Sequence, residues 1–282
     1  MRQSADPSVF IIILNWNGRD DTIECLESLV NPGYSNCRIV VVDNGSTDGS
    51  AQAIRSRFPT LTVLQLTQNL RFAGGNNTGI AFALDNGADY VLLLNNDTVA
   101  EEGFLGPLVE RMQSDHRIGM VAPKILYYAP PDRIWFAGAR IRYWLGTMAH
   151  IGIREEDRGQ HNEPGETDYA TGCCVLARKA VIESIGMLDE SYFMYVEDVD
   201  WSVRARKNGF RIMYEPRSEI RHKVSVSAGG NLSLFKLRNK YISQMKFFAR
   251  HARWYHWLVL PWMSILVDLI LLFAQLRVRR SP

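Results

Sequence analysis

Tyr90-Val91-Leu92-Leu93-Leu94-Asn95-Asn96-Asp97 is an apolar run that stops abruptly at a polar cluster. Four or more consecutive apolar residues predict a strand covered on both faces, which places the cluster at its carboxyl end, the edge where open α/β sheets bind ligands. A carboxylate there is a candidate metal ligand. Hard oxygen donors suit Mg²⁺ or Mn²⁺, ions held by one or two carboxylates together with substrate phosphate oxygens. The structural alternative is an Asx turn or the N-cap of a helix starting near Glu101.

The pattern repeats on both sides of this strand. Val9 to Leu14 is a continuous apolar run followed by Asn15-Trp16-Asn17-Gly18 and a helix with Ile23, Leu26, Leu29 and Val30 on one face. Ile39 to Val42 ends at Asp43-Asn44-Gly45-Ser46-Thr47-Asp48-Gly49, and Leu61 to Leu66 is followed by a predicted loop, Thr67 to Asn77, that carries Gly74-Gly75. Ile118 to Val121 is a fifth strand. Strands interleaved with helices at this spacing predict an α/β fold, with a mostly parallel central sheet flanked by helices. Asn15, Asp43, the Gly74-Gly75 loop and Asp97 then share one sheet edge. No G-x-G-x-x-G follows the first strand and no G-x-x-x-x-G-K-[ST] occurs, which disfavours dinucleotide oxidoreductases and P-loop NTPases. Between Tyr127 and Gly165, Pro130-Pro131, several aromatics and a charged stretch predict an excursion of short strands and loops.

The 282 residues, 46% hydrophobic, suffice for one large core or one domain with an appendage. Cys25, Cys37, Cys173 and Cys174 show no metal-type spacing, and the polar stretch Met1 to Ser8 has no signal-peptide character. A reduced protein facing the cytoplasm is expected. The net charge of +2 conceals a division: from Arg217 onward there are 12 Lys and Arg against two acids, while the preceding chain has 20 bases and 28 acids. The C-terminal fifth therefore faces something anionic. The apolar segment Trp254 to Leu276, bracketed by Arg250, Arg253, Arg277, Arg279 and Arg280, favours a membrane surface over nucleic acid. A helix of that length would reach about 34 Å, enough to cross a hydrocarbon core of roughly 30 Å. Asp268 and Pro261 argue against a simple span, since an acid near mid-bilayer costs on the order of 3 kcal/mol. A helix lying in the cytoplasmic leaflet is the expectation, a spanning helix the close second, and a helix buried in a homodimer the third. The division expected is a catalytic domain over 1–230 and a helical membrane-association segment over 231–282.

A second constellation runs Tyr192-Phe193-Met194-Tyr195-Val196-Glu197-Asp198-Val199-Asp200-Trp201, with Arg204, Arg206 and Lys207 following on one predicted helix. Acids at a helix start are ordinary dipole partners. Asp198, however, follows an aromatic run that would desolvate it, raise its pKa and make it a better base. Downstream, Tyr214-Glu215-Pro216 ends another strand signal and Arg221-His222-Lys223 follows.

In this order the motifs resemble the inverting family-2 glycosyltransferases of the GT-A fold, especially their bacterial rhamnosyltransferase-like branch. The resemblance covers about Val9 to Arg250. It rests on Ile13-Leu14-Asn15-Trp16-Asn17-Gly18, Val42-Asp43-Asn44-Gly45-Ser46-Thr47-Asp48-Gly49, the stretch Asn69 to Gly79, Leu93-Leu94-Asn95-Asn96-Asp97, Gly186-Met187-Leu188-Asp189-Glu190, Tyr195 to Asp200 and Ile220-Arg221-His222. It implies that Asp43 accepts a hydrogen bond from a uracil or thymine imide, with Asn15 and Trp16 closing the nucleotide pocket. Asn69, Phe72, Gly74, Gly75 and Asn76 would pass beside the donor. Asn95-Asn96-Asp97 stands in the place of the family's D-x-D, with Asp97 holding a divalent ion and His222 completing its coordination. Asp198 would be the general base, with Glu197 and Trp201 among the substrate contacts. The implied reaction moves a sugar from a UDP- or dTDP-sugar, with dTDP-rhamnose favoured, to a hydroxyl of a glycan or lipid-linked acceptor. Asn95, where the family often has aspartate, lowers the expected metal affinity. A sugar nucleotidyltransferase ranks far below, because Asn15-Trp16-Asn17-Gly18 is not a basic Gly-rich loop. A catalytically silent nucleotide-sugar-binding module is favoured only by Asn95.

Overall fold

The computed structural model describes residues 6–224 and 234–258, with positions 262 and 269 besides. In chain order the elements are β1 (Val9–Asn15), α1 (Arg19–Ser28), β2 (Cys37–Asp43), α2 (Ser50–Arg57), β3 (Thr62–Gln65), α3 (Arg71–Asp85), β4 (Tyr90–Asn95), β5 (Thr98–Ala100) and α4 (Leu105–Ser114). They continue with β6 (Ile118–Tyr127), β7 (Ile134–Phe136), β8 (Ala139–Arg142), β9 (Thr147–His150), β10 (Gly165–Glu166), β11 (Cys174–Arg178), α5 (Lys179–Ile185), α6 (Glu197–Lys207), β12 (Arg211–His222) and α7 (Leu234–His251). A short 3₁₀ turn covers Trp254–Leu258.

The central sheet runs β10, β12, β6, β11, β4, β1, β2, β3, with β5 added on β12 and β7 on β6. β1 pairs in parallel with β2 and β4, and β2 with β3. The register brings Asn15 level with Asp43, and Leu14 level with Asn95, so three strands end together. That common edge was legible in the apolar runs.

The sheet is mixed rather than mostly parallel. β11 enters antiparallel between β4 and β6, and the parallel order resumes only between β6 and β12. The insertion is stabilised by burial on both faces: Cys174, Val175, Leu176 and Ala177 are all inaccessible or nearly so. β12 also runs past Pro216, where a strand end was expected. An irregularity between Glu215 and Glu219 absorbs Pro216, and the strand resumes to His222. Glu215, fully buried, is held there by Arg111 at 2.9 Å and Arg217 at 3.0 Å.

The predicted Thr67 to Asn77 loop is shorter than expected, because α3 begins at Arg71 and includes Gly74 and Gly75. Their place is explained by packing. A Cβ on Gly75 would lie 2.4 Å from Leu14 Cδ1, and one on Gly79 would lie 2.5 Å from Ile12 Cγ2. The glycine face of α3 thus lets the helix lie directly on β1. The helix expected from Glu101 starts instead at Leu105 and is preceded by β5, so Asp97 caps no helix.

At the C-terminal end, α7 docks on the preceding chain. Phe247 and Phe248 are fully buried, Ser243 Oγ donates to the Met194 carbonyl at 2.7 Å, and His251 Nε2 lies 2.8 Å from Asp200. The first described part of the 231–282 segment is therefore packed with the preceding chain. No helix among the described residues is long and apolar enough to cross a membrane. Most of the Trp254 to Leu276 segment lies outside the described residues. Within it Trp254–Leu258 forms the 3₁₀ turn, with Trp254 and Leu258 exposed.

Gly79→Val would force a branched side chain between Ile12 and Val42, both fully enclosed. Overpacking of this kind is expected to lower unfolding free energy by about 2 kcal/mol, read from urea denaturation; a variant as stable as the parent would contradict the close α3–β1 contact.

Candidate active site

Asn15, at the end of β1, is fully buried and donates its amide to Asp43 Oδ1 at 2.7 Å and Ser46 Oγ at 3.1 Å. Its amide oxygen accepts from Thr22 Oγ1 at 2.8 Å and the Gly18 N–H at 3.2 Å. Asn15 is thus the clamp that joins the two strand ends and the start of α1, and it orients Asp43 from within. Asp43 is likewise fully buried, and Trp16 beside them is 55% exposed. Trp16 presents an exposed aromatic face at this edge, while the Asp43 carboxylate is enclosed by Asn15 and the Ser46 N–H.

Asn44, which sequence reasoning did not single out, organises the facing loop. Its amide donates to Asn69 Oδ1 and the Arg71 carbonyl, both at 3.0 Å, while its oxygen accepts from the Leu70 N–H at 2.8 Å. Asn69 therefore shapes the loop, accepting from the Arg71 N–H at 2.7 Å. Its signal was present in the Asp43-Asn44-Gly45-Ser46 turn. Asn76, expected at the substrate, is buried on α3 and donates to the Phe72 carbonyl. Gly74 and Gly75 face packed neighbours, not an open phosphate cradle.

The polar cluster after β4 splits by direction. Asn96 turns toward α1, donating to Thr22 Oγ1 at 3.0 Å and approaching Asn15. Asn95 lines a cleft of ≈ 560 Å³ on the other side. Asp97 leads into β5, whose Thr98 pairs with His222 of β12. That pairing brings His222 Nε2 to 3.2 Å from Asp97 Oδ1, both residues being buried. His222 Nδ1 is buried with no hydrogen-bond partner among the described residues.

The same cleft receives Phe72, Glu197, Asp198 and His222, with Lys240 and Gln244 entering from α7. Asp198, in the first turn of α6, accepts from the Gly172 N–H at 2.7 Å and its own neighbour Val199 N–H at 2.8 Å. Burial nonetheless raises its pKa above the usual carboxylate range, because the two backbone donors only partly offset desolvation. Glu197 is pushed up to about 8 by burial and by the Asp198 charge, and its Oε2 is buried without a hydrogen-bond partner. The two acids lie side by side at the start of α6, and burial favours the protonated form of each. The chain enters α6 through Tyr195 and Val196, both at positive φ (67° and 75°), a conformation that a β-branched residue adopts only under constraint.

Gly172 was also missed. A Cβ there would lie 2.9 Å from Phe72 Cζ and 3.4 Å from Asp198 Cβ, so the glycine admits both side chains to its backbone. The legible signal was Thr171-Gly172 directly before a buried strand. Trp201, expected among the substrate contacts, is 1% exposed and donates its indole N–H to the Gly186 carbonyl at 2.9 Å; it is a core residue. Asp200 also faces away from the cleft. Burial alone would raise it, but hydrogen bonds from His251 and Arg204 outweigh that and hold it well below the usual carboxylate range. All four cysteines are free thiols.

A mixed sheet flanked by helices, with Asp43 buried at the end of β2, Asp97 buried against His222 after β4 and the Glu197–Asp198 pair at the start of α6, is an α/β fold of GT-A-like type. The Glycosyl transferase family 2 model matches residues 8–186, and the chain belongs to that family. It is a glycosyltransferase. Among curated relatives, the N-acetylglucosaminyl-diphospho-decaprenol L-rhamnosyltransferase of Mycobacterium tuberculosis is 28% identical over 239 residues, covering 77% of this chain and 76% of the relative. The dTDP-rhamnosyl transferase RfbF of Shigella flexneri is 21% identical, covering 77% and 69%. These names support the rhamnosyltransferase-like branch. Among solved structures, GalNAc-T7 with UDP, GalNAc and Mn²⁺ has a TM-score of 0.66 at 13% identity, covering 88% of this chain, which spans about half (48%) of that one. The mannosyltransferase PcManGT of Pyrobaculum calidifontis, with GDP-Man and Mn²⁺, has a TM-score of 0.58 at 16% identity, covering 93% and 74%.

The Glu197 shift gives a stability prediction. An acid whose pKa is raised on folding, here from 4.5 to about 8, holds its proton more tightly in the folded chain, so its contribution is lost as pH rises through that window. The melting temperature of the parent should therefore fall relative to Glu197→Gln between about pH 5 and pH 9. Parallel curves for the two proteins would contradict the buried, partnerless carboxyl.

Proposed function

We propose that this protein is an inverting glycosyltransferase that moves a sugar, rhamnose from dTDP-rhamnose being the favoured case, to a hydroxyl of a lipid-linked or glycan acceptor at the cytoplasmic face of a membrane. The observation that carries the reading is the convergence of Asp198, Glu197, Asn95 and His222 on one cleft. The donor preference is supported by the two relatives named for rhamnosyl transfer, and the lipid-linked acceptor by the diphospho-decaprenol in the name of one. Membrane association is supported by the basic balance beyond Arg217.

In this reading the nucleotide lies over the ends of β1 and β2. Asp43, fixed by Asn15, accepts from the base imide, and Trp16 covers the base. Asp198 takes the proton of the acceptor hydroxyl as its oxygen attacks the anomeric carbon, and the bond from that carbon to the diphosphate oxygen breaks on the opposite face. The raised pKa of Asp198 suits it to take up that proton. A single base suffices; retention would need a positioned nucleophile as well.

The residues fit a divalent ion. Asp97 and His222 present a carboxylate oxygen and an imidazole nitrogen 3.2 Å apart. A hard carboxylate oxygen beside an imidazole nitrogen is a donor pair that would suit Mn²⁺ or Mg²⁺. An ion held by these two side chains would take its remaining donors from the substrate's phosphates and water. When bound there, the ion would neutralise charge on the departing nucleoside diphosphate. Asn95 adds a neutral oxygen where a carboxylate would bind more tightly.

Asp198→Asn is expected to retain nucleotide binding by calorimetry and to lower turnover about 100-fold or more. Near-parent turnover would remove Asp198 as the base. Exhaustive chelation should abolish transfer, and Asn95→Asp should lower the Mn²⁺ concentration needed for half-maximal rate about ten-fold. Activity that survives chelation would contradict the ion's role.

A further inference from the structure

Trp135, on β7, separates two cavities. Its ring packs edge-on against His222 and His150, at 4.6 Å in each case, and it lines the cleft of Asp198. It also lines a second open cavity of ≈ 570 Å³ formed with Tyr127, Arg133, Ile153, Arg154 and Val224. Two arginines border this second space, and among the described residues no Asp or Glu lines it.

The charges of both arginines are largely uncommitted. Arg154 has no ion-pair partner among the described residues, and the acid nearest Arg133 is Asp132, at 3.9 Å and more than half exposed. Glu156, whose backbone bridges that of Arg133, is hydrogen-bonded to Arg158 at 2.9 Å and feels the Arg133 charge only at longer range. Arg154 stands at φ 68°, a left-handed conformation that non-glycine residues hold only where their surroundings impose it. Planar guanidinium forks match phosphate oxygens in geometry as well as charge. Beside them, Ile153 is 46% exposed and Val224 is half-buried, which gives the cavity an apolar rim.

We infer that the Arg133–Arg154 cavity binds the phosphate of a phosphorylated, hydrocarbon-tailed acceptor whose sugar lies across Trp135 in the cleft of Asp198. The inference rests on the glycosyltransferase reading and deepens it by assigning the acceptor's phosphate to a named pair of side chains. A sugar seated against Asp198 and extending past Trp135 places its substituent between the two arginines, and the tail leaves over Ile153 and Val224. His150 supports the shared wall: burial lowers its pKa to about 4, so it stays neutral while its Nδ1–H donates to the Trp135 carbonyl at 3.1 Å.

The test titrates the full chain with farnesyl diphosphate by calorimetry in EDTA, where the Asp97–His222 pair holds no ion, and repeats it with Arg133→Gln/Arg154→Gln. Farnesol and phosphatidylglycerol vesicles are the comparison probes. Binding to the parent, weakened ten-fold or more in the variant and far weaker for farnesol in both, is the expected result. Equal binding to both proteins would overturn the inference, as would displacement by dTDP or UDP, which would place the probe in the nucleotide pocket. Arginine-dependent vesicle binding without farnesyl diphosphate binding would assign the pair to a lipid surface and also overturn it. dTDP and UDP binding and donor hydrolysis by the parent, measured with Mn²⁺, report separately on the glycosyltransferase reading. Both nucleotides should bind the variant as they bind the parent.

Discussion

The three residues of β5 decide where the site's charge lies. Thr98 pairs with His222, and the Lys223 N–H donates to the Asp97 carbonyl at 2.9 Å, so an acid that follows the central strand β4 is set against a histidine of β12. Thr98 Oγ1 returns to the Asn95 carbonyl at 2.7 Å, which ties this corner to the end of β4. Because side chains alternate along a strand, a slip of one residue in β12 would turn His222 to the opposite face. The irregularity at Glu215–Glu219 sets that register, and the buried Glu215 with Arg111 and Arg217 pins it. Removing either arginine would leave the buried carboxylate short of a partner, so the pairing carries an energetic penalty for misregister.

The acid on the facing wall is held by a different device. Asp198 projects from the first turn of α6, entered through two left-handed residues, and is anchored by the Gly172 N–H. Two residues on, Asp200 is fully buried and joined to Arg204 at 2.7 Å, His251 at 2.8 Å and the Tyr192 hydroxyl at 3.2 Å. One turn of helix thus presents an acid with a raised pKa to the cleft and a lowered one to α7. The C-terminal helix is bonded to the element that carries the proposed base, and through Lys240 and Gln244 it closes the same cleft.

Much of this was legible in the residues, because the strands that carry the site are buried on both faces and read as unbroken apolar runs: Val9 to Leu14, Ile39 to Val42 and Tyr90 to Leu94. The polar residues that end them do share an edge. What escaped was set by tertiary packing. Cys174–Arg178 looks like any short apolar run, and nothing in it records that it pairs antiparallel with β4 and β6. Gly74 and Gly75 read as a loop because glycine disfavours helix, whereas contact with β1 outweighs that preference. Trp201 and Asn76 lie within motifs whose neighbours reach the site, yet helical periodicity turns both into the core. Gly172 and Asn44 act through backbone groups, which leave little trace in composition.

One base and one displacement suffice for the proposed transfer, and the anomeric configuration of the product reports on that most directly. Proton NMR of the glycoside formed from any nucleotide sugar the enzyme accepts should show the anomeric centre inverted relative to the donor. Retention would require a covalent or equivalent intermediate on a second group, and would contradict the assignment of Asp198 as a lone base acting on the acceptor.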